Sequence, residues 1–130
     1  MEYLSEDGRV LRGLMLEMVT AAENYGRLAK CFSGWQAEAL NRMAREAKAQ
    51  GSCIGGICAL VMGETPKRAL PCPDTGTISA RLKKAYSRAM HLLSACEGYS
   101  KDPEYGPVFQ RLAIKQQEHC RKILEIIGSL

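Results

Sequence analysis

The sequence predicts an all-α protein with one domain over residues 1–130, folded as a four-helix bundle with a long crossover between the second and third helices. Apolar residues recur at three- and four-residue steps in four long segments, which is the period of an amphipathic helix. No segment shows the alternation of apolar and polar residues that is typical of a strand. Short turns separate the outer pairs of segments, whereas the middle two are far apart in sequence. These observations predict two antiparallel helix pairs joined by one long link.

The first predicted helix runs from about Ser5 to Phe32, and Ser33-Gly34 ends it because glycine readily takes the left-handed conformation that closes a helix. The second runs from about Trp35 to Met62 and ends at Gly63. The short turn between them predicts antiparallel neighbours. The inner side of the second helix is predicted to carry Ala39, Met43, Glu46, Ala49 or Gln50, Cys53, Ile57 and Leu60.

The link from Gly63 to Thr77 is rich in proline and shows no helical pattern. Its 15 residues reach about 50 Å when fully extended. A helix of roughly 27 residues is only about 40 Å long. The link can therefore cross the whole length of a bundle, which a hairpin turn would not need to do.

The third predicted helix runs from about Ile78 to Ser100, and Lys101-Asp102-Pro103 marks the next turn. Gly106-Pro107 opens the fourth, which extends to Leu130, since proline is well tolerated in a first helical turn. Two positions on the inward stripe of this last helix, Gln116 and His119, are polar. Buried polar groups cost free energy unless they have partners, so their surroundings are the most informative part of the chain.

Positions equidistant from a hairpin turn lie side by side. A turn near residue 32 or 33 places Met18 level with Glu46, and a turn near 102 or 103 places Ala89 level with Gln116. One helical turn further along lie Ala49 and His119. The sequence therefore predicts a central layer at mid-bundle, made of Met18, Glu46, Ala49, Ala89, Gln116 and His119.

Two motifs on these helices are similar to those of a known family. Ala44-Arg45-Glu46-Ala47-Lys48-Ala49 is similar to an E-x-x-H motif, and the stretch from Phe109 to His119 is similar to F-x-x-x-A-x-x-E-x-x-H. The hairpin from Asp102 to Phe109 is also similar to that of bacterial members. The chain thus resembles ferritin-like proteins of the rubrerythrin type, without the rubredoxin tail. That resemblance implies a ferritin-like bundle whose helices hold two metal ions for oxidation or peroxide reduction.

The chain departs from the family at most of the ligand positions. Met18, Ala49, Ala89 and Gln116 stand where the resemblance implies metal ligands, which leaves Glu46 and His119. Methionine and alanine cannot replace the carboxylates that iron prefers. The sequence therefore predicts a relic of a di-iron site, with Glu46, Gln116 and His119 as a buried polar cluster and no cofactor. A single ion such as zinc, held by Glu46, His119 and a cysteine or water, is an alternative.

These departures favour a non-catalytic binding or interaction protein that is ferritin-like in fold. The alternative is a metal-binding oxidoreductase or peroxidase of the rubrerythrin type, with iron or zinc, so the sequence leaves open whether the protein is an enzyme. A homodimer is compatible with either prediction. Other candidate sites have less support. His91 does not lie on the inner stripe of the third helix and is predicted at the surface.

Composition excludes several other classes of function. A net charge of +4 with scattered basic residues and 6% aromatic residues argues against nucleic-acid binding. No apolar run approaches the roughly 18 residues of a membrane span. The acidic N-terminal stretch, Met1 to Asp7, lacks the features of a signal peptide, which predicts a cytoplasmic protein without a membrane partner.

The six cysteines are predicted to be free thiols that mostly fill the core. Cys72, between two prolines, is predicted to be exposed and reactive. A thiol function that uses Cys72, or Cys53 with Cys96, is a further possibility. Cys53 and Cys96 are predicted at one height, but the diagonal placement of their helices separates them.

Overall fold

Four helices make up the part of the chain that the structure describes. The computed structural model describes residues 8–63, 66 and 70–130, and within these ranges it contains no strand. The prediction of an all-α four-helix bundle is therefore confirmed, while the predicted start of the first helix near Ser5 lies outside the described residues. The helices are α1 (Gly8–Ala29), α2 (Trp35–Met62), α3 (Ile78–Gly98) and α4 (Gly106–Gly128).

The helix ends follow from local sequence. Gly34 and Gly63 both adopt positive φ, 73° and 75°, which side chains other than glycine rarely accept. Gly34 is the N-cap of α2, whereas α1 ends at Ala29, before the end that the sequence predicts at Ser33-Gly34. Gly63 caps α2 in the left-handed conformation and donates its N–H to the Ala59 carbonyl. The Thr77 hydroxyl accepts a hydrogen bond from the Ala80 N–H and so caps the start of α3. Pro107 lies in the first turn of α4, as the sequence predicts.

The predicted crossover is present. Each helix packs against two others, α1 against α2 and α3, and α4 against α3 and α2, so that α1/α4 and α2/α3 are the diagonal pairs. Arg12 near the start of α1 lies 3.9 Å from Met62 at the end of α2. Arg81 near the start of α3 lies 3.6 Å from Cys31, just beyond the end of α1. The connector between α2 and α3 therefore travels from one end of the bundle to the other.

A buried group of polar contacts, which we call the connector clamp, attaches the connector to α1 and α3. Asn24 donates from Nδ2 to the Cys72 carbonyl at 3.1 Å and accepts from the Asp74 N–H at 2.8 Å. The Asp74 carboxylate receives two hydrogen bonds from the Arg88 guanidinium, at 2.8 and 3.1 Å. The Asp74 side chain is only 3% exposed, and its charge is compensated mainly by Arg88, with exposed Lys84 at 3.7 Å as a weaker partner.

The inner side of α2 differs by one residue from its prediction over half of its length. Ala49 and Cys53 are exposed, and Leu60 is 74% exposed. Each residue turns a helix by about 100°, so a one-residue error in phase moves a side chain from the core to its edge. Apolar character alone did not fix that phase, because alanine, cysteine and leucine also occur at the surface. From Met43 onward the buried positions of α2 are Met43, Ala47, Gln50, Gly51, Ile54, Ile57 and Cys58.

All six cysteines lie in the described part of the chain and are free. Cys72 is exposed, as predicted, but so are Cys31 and Cys53, which the sequence assigned to the core. Cys96 is buried on α3 while Cys53 faces outward on the diagonal helix, so the structure does not bring these two thiols together. Of the helices that the structure describes, none has the length and apolar character needed to cross a membrane.

Candidate functional site

Five of the six residues of the predicted central layer lie on the inner faces of the bundle. Met18 and Ala89 are fully buried, Gln116 and His119 nearly so, and Glu46 is partly buried at the edge between α2 and α4. Ala49 is the exception: it is exposed, and Gln50 is buried in its place. Contacts bring Met18, Glu46, Gln116 and His119 together near mid-helix, and α2 contributes positions 46 and 50 instead of the E-x-x-H spacing that the resemblance implies.

The centre of the layer is a contact between three helices. Gln116 on α4 donates from Nε2 to Oε1 of Gln50 on α2. The same Nε2 lies 3.4 Å from the Met18 sulfur on α1, the diagonal helix. Nε2 of Gln50 and Oε1 of Gln116 have no hydrogen-bond partner among the described residues. Each amide thus has one of its two polar atoms hydrogen-bonded to the other amide, and its second polar atom has no partner among the described residues.

The edge of the layer is an ion-paired contact between α2 and α4. His119 Nε2 lies 3.1 Å from Oε1 of Glu46, and the Lys115 ammonium lies 2.8 Å from Oε2. Both oxygens of one carboxylate are therefore engaged, one by an imidazole and one by a cation. We call Glu46, Gln50, Lys115, Gln116 and His119 together the polar network.

The pKa values of this pair follow from burial and from these contacts. Burial alone would raise the pKa of Glu46, but hydrogen bonds from Lys115 and His119 outweigh it, so the net pKa lies below the usual value. Burial lowers the pKa of His119, and the attraction of Glu46 offsets this only in part. At neutral pH the imidazole is therefore uncharged. Since a carboxylate can only accept, Nε2 carries the proton and donates it to Glu46.

Neutral His119 is held on its other side by an aromatic ring. The rings of Tyr25 and His119 meet edge to face, with centroids 5.6 Å apart and planes at 82°. Burial raises the pKa of the Tyr25 phenol, so it too is neutral. His119 Nδ1 is buried and has no hydrogen-bond partner within the described ranges. The imidazole is thus fixed by Glu46 and Tyr25 with one ring nitrogen unpaired.

A polar pocket of about 440 Å³ lies above Glu46 and His119, between α2 and α4. These are the least closely packed of the neighbouring helices. We call it the α2–α4 pocket. Its charged lining comprises four basic residues, Arg42, Lys115, Arg121 and Lys122, and three acidic residues, Glu46, Glu118 and Glu125. Lys115 also contacts Glu118, and Lys122 contacts Glu125, so much of the charge is compensated within the pocket.

The residues present do not fit a di-iron centre. Across the residues that the structure describes, no three His, Cys, Asp or Glu side chains cluster in a way that could hold a metal ion. Glu46 and His119 are the remaining pair, and the ammonium of Lys115 already lies against the carboxylate. Of the predicted zinc alternative, the form with a cysteine as third ligand is wrong, since no cysteine joins Glu46 and His119 among the described residues. The positive charge beside the Glu46 carboxylate is the Lys115 ammonium.

Sequence reasoning missed two members of the polar network. The sequence pattern allows either Ala49 or Gln50 on the inner side of α2, and only the packing of α2 against α1 and α4 decides between them. Lys115 precedes inward-facing Gln116 and is rotated off the inner stripe by about 100°. A long, flexible lysine side chain can reach back from such a position, which a search along the stripe does not find.

No protein-family model, curated protein or solved structure matches this chain. Fold and site therefore define the class of the protein on their own: a four-helix bundle with a long crossover and a buried polar network at mid-height.

The polar network makes stability depend on pH. The pKa of His119 lies below its usual 6.5, so between these two values the unfolded chain binds more protons than the folded one. Stability contributed by His119 is thus present above pH 6.5 and is lost as pH falls towards the folded pKa. The lowered pKa of Glu46 acts in the same direction. Its contribution to stability is present above pH 4.5 and is lost as the pH falls towards the folded pKa. We expect the urea midpoint to fall on acidification from pH 7 to about pH 5.

A substitution of His119 separates the contribution of its imidazole to the pH dependence of stability from the contribution of the acidic groups. His119→Gln keeps a donor for Glu46 but does not titrate, so the midpoint should become nearly flat above about pH 5. The chain has two histidines, and the other, His91, is an exposed residue paired with Glu17 at 3.3 Å. His91→Gln is therefore the matched control and should keep the wild-type slope. Loss of the slope in the His91 variant instead would assign the pH dependence to the surface pair.

Proposed function

We propose that the protein is a ferritin-like bundle whose metal ligands have been replaced by an internal polar network, and that it acts as a non-catalytic binding or interaction module. Two antiparallel helix pairs with a bundle-long crossover support the first part. Glu46 and His119 face each other at mid-helix, at positions that the resemblance assigns to ligands. Met18 and Ala89 lie fully buried at two other such positions.

One observation carries the loss of metal chemistry. Both oxygens of the Glu46 carboxylate are in hydrogen-bonding contact with protein groups, His119 on one and Lys115 on the other. A metal ion that binds there would have to displace the Lys115 ammonium from Glu46. The two positive charges of the metal would then repel the nearby ammonium. The metal would gain at most one carboxylate and one imidazole, which are too few protein ligands for a structural site. A pair of iron ions would also lack a carboxylate to bridge them.

Metal analysis tests this proposal. Protein purified anaerobically from iron-replete cells should contain neither iron nor zinc in stoichiometric amount, and should lack the near-ultraviolet absorption of an oxo-bridged pair. About two irons per chain, lost in Glu46→Ala and His119→Ala, would instead support the alternative of a rubrerythrin-type oxidoreductase.

A pair of lysine variants tests the role assigned to Lys115. Lys115→Ala frees one oxygen of Glu46, and added Zn²⁺ should then raise the melting temperature, by an amount that grows with metal concentration. Lys122→Ala removes a cation that contacts Glu125 and not Glu46, so it serves as the control. Wild type and Lys122→Ala should show no such shift. Equal stabilisation of all three proteins would mean that Lys115 does not stand in for a metal.

A cytoplasmic location and a homodimer remain predictions of the sequence.

A further inference from the structure

A second cavity, on the opposite side of α2 from the polar network, has different chemistry. This groove of about 850 Å³ runs between α1 and α2, and described residues of the connector also line it. We call it the apolar groove. Its volume falls within the range of about 300–1,000 Å³ that is typical of sites for small ligands. Its walls include Met15, Val19, Ala44, Gly55 and Ala59, all half-buried.

Charge is segregated along the apolar groove. Its α2 wall extends from Ala44 to Ala59, about 22 Å at 1.5 Å per residue, and the only charged residues on it are Arg45 and Lys48 in the first half. Both are exposed, and neither has an ion pair with any described residue. The acid on the α1 wall, Glu23, is already paired with Arg27 at 3.0 Å. One half of the groove is thus apolar and the other carries uncompensated positive charge.

We propose that the apolar groove binds a single-chain amphipathic anion, with a long-chain carboxylate as the ligand class. The alkyl chain lies against the apolar half, where its burial drives binding, and the carboxylate lies beside Arg45 and Lys48. The charge pattern selects this class, because an uncharged chain would leave both cations without a partner and a cationic amphiphile would be repelled. This site would give the proposed binding role a ligand.

Gly56 offers a way to block the groove without disturbing the fold. It lines the groove, and a Cβ built on it meets no atom within 4 Å. Gly56→Phe therefore adds a ring to the cavity and at the same time removes a residue that disfavours helix. Gly26 on α1 also has open space around its Cβ but does not line the groove. Gly26→Phe is the matched control for the added ring.

Calorimetric titration with laurate, below its micellar concentration, tests the proposal. We expect one laurate per chain for wild type and Gly26→Phe, and no binding for Gly56→Phe. Dodecyltrimethylammonium, with a chain of the same length and a cationic head, should bind at least about tenfold more weakly. No binding of laurate to the wild type, or equal binding to Gly56→Phe, would overturn the proposal.

Charge variants locate the carboxylate. Arg45→Ala/Lys48→Ala should weaken laurate binding about tenfold, as expected for the loss of two solvent-exposed charge contacts. Arg42→Ala/Arg121→Ala removes two cations of the α2–α4 pocket and should leave the affinity unchanged. The reverse result would place the anion in that pocket and overturn the proposal. Metal found at Glu46 would refute the loss of metal chemistry without affecting this titration, so the two proposals fail separately.

Sedimentation equilibrium excludes another occupant. If a second copy of the chain covers the groove, the wild type is a dimer and Gly56→Phe is a monomer, and that result would overturn the proposal. The expected result is the same oligomeric state for both proteins.

Discussion

Arg88→Ala is expected to lower the free energy of unfolding by about 3 kcal/mol, at the low end of what the loss of one partner costs in a buried ion pair. The reason is the surroundings of Asp74, whose side chain is 3% exposed and receives both hydrogen bonds of the Arg88 guanidinium. Without the arginine, this carboxylate of the connector remains buried with little compensation. Lys84, 3.7 Å away and largely exposed, can offset only part of that cost. Urea unfolding measures the difference.

Two further variants show whether the cost comes from an unpaired charge. Lys84→Ala removes the weaker, exposed partner and should cost less than about 1 kcal/mol. Asp74→Ala/Arg88→Ala removes both buried charges and should be more stable than Arg88→Ala alone, because no carboxylate is then left unpaired. A double variant that is less stable than Arg88→Ala would mean that the cost arises from lost packing and not from the charge.

Gln116→Met is expected to cost about 2 kcal/mol, because it leaves the buried amide of Gln50 without the one hydrogen bond that it makes to a described residue. Gln50→Met should cost a similar amount for the reciprocal reason. Methionine is unbranched and of similar size, so little of the cost comes from a cavity. The double variant should be close to the wild type or more stable, since replacing both partners with apolar groups removes the desolvation cost of each. Urea unfolding of the four proteins completes the cycle.

The neighbouring Gln117 supplies the control for this cycle. It lies on α4 beside Gln116 but is exposed, so Gln117→Met should change stability by no more than about 0.5 kcal/mol. Strictly additive effects of the two core substitutions would contradict the contact between the amides. A double variant that stays stable would also show that the contact between Gln50 and Gln116 is not needed for folding.

The fold could be predicted from the sequence because its determinants are local. The three- and four-residue recurrence of apolar positions specifies helices, and Gly63 ends α2 while Gly34 precedes its first turn, wherever the rest of the chain lies. The crossover also follows from chain length, since a 15-residue link is longer than any hairpin requires. The inward positions of Gln116 and His119 follow from the stripe of a single strongly amphipathic helix, α4.

The partners of those residues could not be predicted, because a partner depends on the rotation of one helix against another. α2 shows this most clearly: Ala49 and Gln50 differ by about 100° of rotation, and its stripe contains glycine, alanine and cysteine, which mark the core only weakly. Its packing against α1 and α4 turns Gln50 inward and Cys53 outward. The reach of Lys115 back to Glu46 and the capture of Asp74 by Arg88 are likewise contacts between distant parts of the chain.

By itself the sequence determined four helices, their order and their turns, together with two polar residues on an inner face, because hydrophobic periodicity and glycine termini act over a few residues at a time. Only the tertiary structure decided that Glu46 is held by Lys115 and His119, that Gln50 meets Gln116, and that α1 and α2 leave an apolar groove with a basic end. Those features depend on side-chain reach and helix rotation, and neither is encoded in the spacing of residues along one helix.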